Sequence, residues 1–166
     1  MRRSGASSAF SLVLLLLSAC LYGFSGGGLP SHIHSVAVLP FDNETSSPEI
    51  QRELLELLRR EMRNRLGVRE APQERADAVV RGVIRTYDAD IPVSFSADRA
   101  QTTSARRKLQ ITLDITVVDQ TSGRTLLERK GLRGEGEYPE RGEVEGRRLA
   151  LQRIVTDVIE GAQSQW

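Results

Sequence analysis

The segment Leu109–Val117 constrains the fold of this chain more than any other, because apolar and polar residues alternate strictly along it (LQITLDITV). Successive side chains of a β-strand point to opposite faces, so this pattern is typical of an antiparallel strand that is buried on one face only. The next residues, Asp119–Gly123, are of the types that form hairpin turns, and Arg124–Leu132 is predicted to return as the partner strand. The chain must therefore form a sheet with one face covered by other elements.

Two amphipathic segments are predicted to be the helices that cover this face. In the first, Ser47 is a candidate N-cap, Pro48 occupies the first helical position and Gly67 is a candidate C-cap. The second covers about Arg147–Gln163. In both segments the apolar residues recur at spacings that place them on one side of a helix. These residues are Ile50, Leu54, Leu57, Leu58, Met62 and Leu66 in the first helix, and Leu151, Ile154, Val155, Val158, Ile159 and Ala162 in the second.

Two further strands complete the predicted sheet. Ser35–Asp42 is a short apolar run, and Ala78–Tyr87 alternates so that Ile84 faces one side while Arg85 and Tyr87 face the other. The order β-α-β-β-β-α predicts an α+β fold of two layers, a mixed four-stranded sheet that carries both helices on one face. The first two strands are expected to be parallel, joined by a right-handed crossover, and the others to form an antiparallel meander.

Two polar segments are predicted to lie outside these elements. Asp88–Ala105 is interpreted as a long loop or hairpin extension. Gly134–Gly146 is so rich in glycine and glutamate that we expect it to be mobile, or ordered only by a partner.

The N-terminus has the pattern of a lipoprotein signal. Arg2 and Arg3 precede the apolar stretch Phe10–Leu17, which is too short to span a bilayer as a permanent helix. The sequence LSAC that ends at Cys20 resembles the bacterial lipobox, in which the cysteine thiol receives a diacylglycerol and the signal is cut before it. Several acyl chains on one residue would anchor a soluble domain durably. The alternative is a simple signal peptide followed by a fortuitous cysteine, or a buried free cysteine.

These patterns divide the chain into three parts. Residues 1–19 are predicted to be the signal peptide. Residues 20–34 contain three consecutive glycines and are predicted to be a lipid-anchored flexible tether. Residues 35–166 are predicted to form a single α+β domain.

Neither the composition nor the motifs indicate catalysis. The formal net charge of +1 offers no polycationic surface to nucleic acid, and a single cysteine excludes an intramolecular disulfide or a multi-cysteine zinc site. The two histidines, His32 and His34, fall in the predicted tether, outside the folded core, with no third metal ligand nearby. No nucleophile–base set or phosphate-binding loop is evident. The sequence therefore predicts a protein that is not an enzyme and that holds neither a metal nor a cofactor.

Six basic residues on the third and fourth strands are the candidate ligand-binding residues. The five-residue turn Asp119–Gly123 is expected to bring Lys108 and Lys130–Arg133 near the same end of the hairpin. Such a cluster could hold anionic groups such as lipid phosphates. The alternative is a solvated edge whose charges discourage the addition of a further strand. The six residues, called the basic group below, are Arg106, Arg107, Lys108, Arg129, Lys130 and Arg133.

The N-terminal half of the chain resembles the lipopolysaccharide-assembly lipoproteins, the LptE-like family. The resemblance rests on the lipobox at Cys20, the triplet YGF at residues 22–24, the glycine-rich tether and the strand–turn VAVLPFDN at residues 36–43. A turn of the form D–T–G within residues 119–123 agrees with it, and the similarity extends over essentially the whole mature chain. Leu21 stands where members of the family more often have glycine.

This resemblance implies a partner protein without catalytic activity. Members of the family sit as a plug in the outer-membrane β-barrel (LptD-like) that inserts lipopolysaccharide, and they help this barrel to assemble. The implied partners are the barrel, lipopolysaccharide itself, and outer-membrane lipid through acylated Cys20, on the periplasmic side. The alternative is an adaptor or secretion-pore lipoprotein with a similar strand–turn. Such a protein would self-assemble into rings, or bind peptidoglycan or an inner-membrane transporter.

Overall fold

The computed structural model describes residues 29–93 and 106–164. The predicted signal, Cys20 and residues 94–105 of the predicted loop lie outside the described residues. Neither helix of the described part is long and apolar enough to cross a membrane. The elements are β1 (Ser35–Val38), β2 (Asp42–Asn43), α1 (Pro48–Leu66), β3 (Arg69–Glu70), a 3-10 turn (Gln73–Arg75), β4 (Ala78–Pro92), β5 (Arg106–Asp119), β6 (Thr125–Pro139) and α2 (Glu143–Ser164).

The strands form one mixed sheet in the order β3-β1-β4-β5-β6, in which β2 also pairs with β4. β1 and β4 are parallel, and β4, β5 and β6 form an antiparallel meander. The predicted α+β class and topology are therefore confirmed. The sheet has six strands instead of four, because the two-residue strands β2 and β3 add short parallel pairs to β4 and β1.

Both helices pack on one face of the sheet around a continuous hydrophobic core, as predicted. The alternating apolar residues of β5, from Leu109 to Val117, are at most 2% exposed. The opposite face of the sheet, called the open face below, carries the polar residues of the same strand. The helix residues that share the core with β5 are Ile50, Leu54, Leu58 and Met62 of α1, and Ala150, Leu151, Ile154, Val155, Val158 and Ile159 of α2.

The helix α1 begins and ends at the predicted residues. Pro48 lies in its first turn, and Gly67 ends it with a φ of 67°, a left-handed conformation that glycine adopts without strain. Ser47 occupies the N-cap position in an extended conformation, as predicted, but its side chain makes no capping hydrogen bond. The Asn43 amide instead donates to the Ser47 carbonyl oxygen at 3.0 Å.

The prediction that residues 134–146 are mobile is wrong. Gly134–Pro139 is the end of β6 and pairs with Arg106–Ile111 of β5, and α2 begins at Glu143. Of the two interpretations of residues 88–105, the hairpin extension is confirmed as far as Pro92, because β4 continues to that residue and pairs with β5.

Two glycines of β6 allow α2 to lie directly on the strand. A Cβ atom at Gly134 would collide with the carbonyl oxygen of Ala150, and one at Gly136 with the carbonyl oxygen of Gly146. A Cβ atom at Gly146 would lie 2.5 Å from the Tyr138 ring. The glycines that suggested a flexible segment are therefore positions where two backbones meet.

A β-bulge in β4 reverses the predicted orientation of Tyr87. Ile84 pairs with Leu113 and Thr86 with Thr112, so Arg85 is an extra residue in the register. The extra residue moves Tyr87 to the helix-covered face, where it packs against the core. The prediction that Tyr87 and Arg85 share a face is wrong because it assumed unbroken alternation.

We expect Gly136→Ala to lower the free energy of unfolding by about 2–3 kcal/mol, because the added Cβ atom forces α2 away from β6. Urea unfolding followed by circular dichroism measures this change. Glu137→Ala is the matched control, since it alters the next residue of the same strand on the open face. We expect the control to change the free energy by less than about 1 kcal/mol. Equal effects of the two substitutions would contradict the close packing of α2 on β6.

Candidate functional site

Asp77 holds the point at which the predicted tether joins the domain. Its carboxylate accepts hydrogen bonds from the backbone amide of His34 at 2.9 Å, and from the amide and the hydroxyl of Ser35 at 2.8 Å each. The Ser35 hydroxyl is the main cause that holds the pKa of Asp77 below its ordinary value of 3.8, and the His34 amide contributes in the same direction. The carboxylate is therefore ionised and fixes the start of β1.

A second carboxylate, that of Asp119, extends this contact to His32. Asp119 is 2% exposed and its Oδ2 lies 2.9 Å from His32 Nε2. It also accepts hydrogen bonds from the backbone amides of Thr121 and Ser122 and from the Ser122 hydroxyl. The Ser122 hydroxyl contributes most to holding the pKa of Asp119 well below 3.8, and His32 lowers it further. One carboxylate thus joins the β5–β6 turn to the tether segment.

Both histidines are exposed, in line with the prediction that they lie outside the folded core, but the segment that carries them contacts the domain. His32 contacts Asp119, the backbone of His34 contacts Asp77, and Ile33 between them is only 5% exposed. A single apolar residue between two histidines has no periodicity, so the sequence offered no signal for this burial. Residues 32–35 and the two aspartates are called the clasp below.

The structure does not bring the basic group together at one end of the hairpin. Lys108 pairs in register with Glu137, whereas Lys130 lies in a bulge opposite Asp114. Six residues of β5 separate the two positions, about 20 Å at the rise of an extended strand. The predicted proximity is wrong because β6 continues to Pro139, which places the far end of the hairpin well beyond Lys130.

Four members of the basic group form ion pairs with carboxylates of their own strand or of neighbouring strands and turns. An anionic ligand would therefore have to take the place of these carboxylates. The pairs are Arg106–Glu137 at 3.3 Å, Lys108–Glu135 at 3.2 Å, Lys130–Glu128 at 3.0 Å, and Arg107 with Asp90 and, at 3.6 Å, with Glu140.

The other two members lie on opposite faces of β6. Arg129 is on the helix side, where a Cβ atom at Gly161 of α2 would lie 3.3 Å from its Nη2. Arg133 is exposed on the open face opposite Thr112, and no carboxylate of residues 29–93 or 106–164 pairs with it. The position of Arg129 indicates a packing role, while that of Arg133 leaves its guanidinium accessible.

An ion network around the buried Arg147, which the sequence analysis missed, joins both helices to β4. Arg147 is 9% exposed and donates to both carboxylate oxygens of Glu53, at 2.9 and 3.0 Å, and its Nη1 lies 3.5 Å from Glu49. The Tyr87 hydroxyl donates to Glu143 at 2.6 Å, and burial raises the pKa of Tyr87 to about 12. The hydrogen bonds to Glu53 raise the pKa of the Arg147 guanidinium. This network holds the two helices against each other and against β4.

No metal-binding cluster occurs in the described part of the chain. Among residues 29–93 and 106–164, no three histidine, cysteine, aspartate or glutamate side chains converge on one point. Ser122 and His32 both contact Asp119, but the hydroxyl donates to the carboxylate and not to the imidazole. Without a neighbouring base the hydroxyl is not activated as a nucleophile.

Comparisons with known proteins agree with this architecture. The model of the lipopolysaccharide-assembly family LptE matches residues 33–162. No curated protein matches the sequence.

Solved structures show that the fold is shared with other bacterial proteins. Two structures of a PelC dodecamer from Paraburkholderia phytofirmans are similar. One is 17% identical, covers 86% of this chain and 95% of its own, and has a TM-score of 0.53. The other is 15% identical, covers 82% and 93%, and has a TM-score of 0.51. The hypothetical protein CT253 from Chlamydia trachomatis is 12% identical, covers 78% and 98%, and has a TM-score of 0.50.

The clasp is expected to make stability depend on pH in acid. Because the folded-state pKa of Asp119 lies below 3.8, its stabilising contribution is complete above about pH 4 to 5 and is lost as the pH falls through the folded-state pKa. Asp119→Asn should therefore be less stable than the native chain at neutral pH, and should lose less further stability between about pH 5 and pH 3. Urea unfolding at neutral pH and at these two pH values measures both effects.

Asp157→Asn is the control for this prediction, because Asp157 is exposed on the outer surface of α2. It should keep the native dependence on pH. If Asp119→Asn also kept the native dependence, the Asp119 carboxylate would not stabilise the clasp.

Proposed function

Since this chain belongs to the lipopolysaccharide-assembly family LptE, we propose that it sits as a plug in the outer-membrane β-barrel that inserts lipopolysaccharide, and that it helps this barrel to assemble. Proteins of this family are lipoproteins of lipopolysaccharide assembly and are associated with the outer membrane. The family match is the main support for the proposal. It extends from residue 33, within the clasp, to residue 162 in α2. It therefore reaches every helix and strand of the described part.

The architecture supports a binding partner instead of an enzyme. The hydrophobic core is continuous under both helices, and Arg147 ties α2 to α1. Most of the candidate cations are in ion pairs, and the family match indicates no catalytic family. A rigid domain of this kind can fill a barrel or support its assembly without any chemical step. We propose that the protein has no enzymatic activity and needs no cofactor.

We also propose that lipidated Cys20 holds the domain on the periplasmic side of the outer membrane, after removal of residues 1–19. The tether is residues 20–34, the last of which contact the domain through the clasp, and the domain is residues 35–166. Anchoring confines the domain to a thin layer at the membrane. This confinement raises its effective concentration at a membrane-embedded partner without any new contact.

Lipopolysaccharide is the proposed ligand of the basic group. Arg106, Lys108, Lys130 and Arg133 all lie on the open face, so an elongated anionic molecule along that face would meet each of them. The carboxylates that now pair with the first three are 37–50% exposed. Exposed ion pairs contribute about 0–1 kcal/mol, so phosphate groups can replace these carboxylates at little cost.

A ring-forming adaptor or secretion-pore lipoprotein is the second candidate function. The similar PelC structures are dodecamers, which shows that a related fold can assemble with itself. This observation concerns PelC, and at 15–17% identity it reports the fold alone. The two functions differ in the partner that each requires.

We expect the tagged, lipidated protein to copurify in equal amounts with one large β-barrel protein when outer membranes are solubilised in mild detergent. Mass spectrometry identifies the partner, and light scattering gives the mass of the complex. Recovery of a homo-oligomer without a barrel would support the ring-forming function. Recovery with an inner-membrane transporter would support the adaptor function. Either result would contradict the plug proposal.

Charge reversal in the basic group should weaken the binding of lipopolysaccharide. In the double variant Arg106→Glu with Lys130→Glu, phosphates would meet two carboxylates in place of two cations, and we expect about a tenfold loss of affinity. Arg52→Glu with Arg153→Glu is the matched control. It makes the same change of net charge at exposed positions on the outer surfaces of α1 and α2. Equal affinity of the two double variants, measured by titration with purified lipopolysaccharide, would exclude the basic group as the binding site.

A further inference from the structure

Two arginines on the open face are free to bind anions, and we propose that together they hold the two phosphates of a bisphosphorylated disaccharide, the head group of lipopolysaccharide. Arg81 lies on β4 and Arg133 on β6, on either side of the central strand β5. Arg81 is not a member of the basic group. This inference rests on the proposed binding of lipopolysaccharide to the open face, and it names the part of that ligand that is recognised.

The alternation of β4 places Arg81 on the open face. Val80 before it is buried in the core. A Cβ atom at Gly82 after it would collide with the ring of Phe41, which belongs to the same core. Because successive residues of a strand point to opposite faces, Arg81 points away from the helices. Within residues 29–93 and 106–164, no carboxylate pairs with Arg81 or with Arg133, and both side chains are exposed or half-buried.

The remaining cations on the open face of β4, β5 and β6 are already paired with carboxylates. A phosphate that binds one of them has to displace its partner, and the exchange of one exposed ion pair for another yields almost no free energy. A phosphate at Arg81 or Arg133 displaces only water and can accept two parallel hydrogen bonds from the guanidinium group. These two arginines should therefore contribute most to the binding of an anion. The paired cations are Arg85, Arg106, Lys108 and Lys130.

The register of the sheet fixes the distance between the two arginines. Arg81 pairs with Thr116 and Arg133 pairs with Thr112 of the same strand. Four residues along β5 and two spacings between strands therefore separate the two Cα atoms. At about 3.3 Å per residue and about 4.8 Å per strand, this separation is about 16 Å. The ligand must carry its two anionic groups at a matching distance.

The carboxylate of Asp114 excludes a single phosphate placed between the arginines. Asp114 lies at their midpoint, because it is midway between Thr112 and Thr116 on the strand between β4 and β6. It accepts a hydrogen bond from the Gly131 amide at 2.8 Å, and this bond contributes most to holding its pKa below 3.8. The carboxylate is therefore ionised at neutral pH and repels a phosphate at the centre. An uncharged centre with one phosphate at each end meets no such repulsion.

The surface between the arginines suits a sugar better than a protein partner. The hydroxyls of Thr112 and Thr116 make no hydrogen bond to residues 29–93 or 106–164, so they can bond to the hydroxyls of a sugar. In the described part of the chain, the large apolar side chains that are exposed are Val93 and Val144. Neither borders this surface, since one follows the end of β4 and the other is on α2. A protein partner would find no apolar anchor there.

Titration calorimetry of the full chain in mild detergent tests the two arginines. The probe is a glucosamine disaccharide without acyl chains that carries a phosphate at each end. We expect Arg81→Ala and Arg133→Ala each to weaken its binding about tenfold. Arg52→Ala and Arg153→Ala are the matched controls, because these arginines are exposed on the helices, and the affinity should not change. Equal losses in the controls would overturn the proposal, since overall charge alone would then explain the binding.

Two further titrations test the spacing and the role of pairing. The same disaccharide with one phosphate should bind the native chain about tenfold more weakly, because only one arginine then has an anionic partner. Equal affinity for the two probes would contradict binding at two points. Arg106→Ala with Lys130→Ala should weaken the binding of the bisphosphorylated probe less than Arg81→Ala with Arg133→Ala does. The reverse order would contradict the dominant role of the unpaired arginines.

Intact lipopolysaccharide distinguishes failure of this inference from failure of the proposed function. If the native chain and the double variant Arg81→Ala with Arg133→Ala bind it equally, only the inference is refuted. If the native chain does not bind it, lipopolysaccharide is refuted as the ligand, and the inference fails with it. If the double variant keeps its affinity for lipopolysaccharide but no longer copurifies with the barrel, the two arginines contact the barrel instead, which also overturns the inference.

Discussion

The direct contact between the backbone of α2 and the glycines of β6 is the constraint on which the rest of the domain depends. Gly134 and Gly136 place the helix against the strand without intervening side chains, and Gly146 accommodates the Tyr138 ring. This contact sets the position of Arg147, the residue that follows Gly146. The Arg147 guanidinium then reaches Glu53 of α1. The position of α1, which connects the first strands of the sheet to β4, therefore depends on the position of α2. A side chain on either strand glycine would move both helices relative to the core.

The elements that the sequence predicts well are those whose signal lies within one segment. Strict alternation from Leu109 to Val117 defines a strand covered on one face, and the spacing of the apolar residues in α1 and α2 defines the helix sides that cover it. Proline and glycine at the ends of α1 have conformational preferences of their own, so they mark its limits without reference to the rest of the fold. From these signals the α+β class and the strand order follow.

The features that could not be predicted depend on contacts between distant segments. The composition of residues 134–146, considered alone, predicts a flexible segment. The glycines are needed because the backbone of α2 packs directly against them, and that contact cannot be seen in the sequence. Arg85, the extra residue of the bulge, pairs with Asp114 of β5 and with Glu44 of the turn after β2. The carboxylates that pair with Arg106 and Lys108 of β5 lie on β6, and these two pairs depend on the register of β5 with β6. The same applies to the clasp, whose aspartates are more than forty residues from the residues they hold.

Under the proposal that the open face binds lipopolysaccharide, the pairing of its cations with carboxylates decides which anions it selects. A small anion would have to displace one carboxylate by itself, and the exchange of one exposed ion pair for another yields almost no free energy. A molecule with several phosphates exchanges several pairs at once, and after the first exchange the others become intramolecular. Arg106, Lys108 and Lys130, spaced along about 26 Å of one face, therefore favour a large multivalent anion over free phosphate. In this proposal the selectivity of the open face comes from the spacing of its paired cations, and the glycine contact that holds β6 under α2 keeps that spacing fixed.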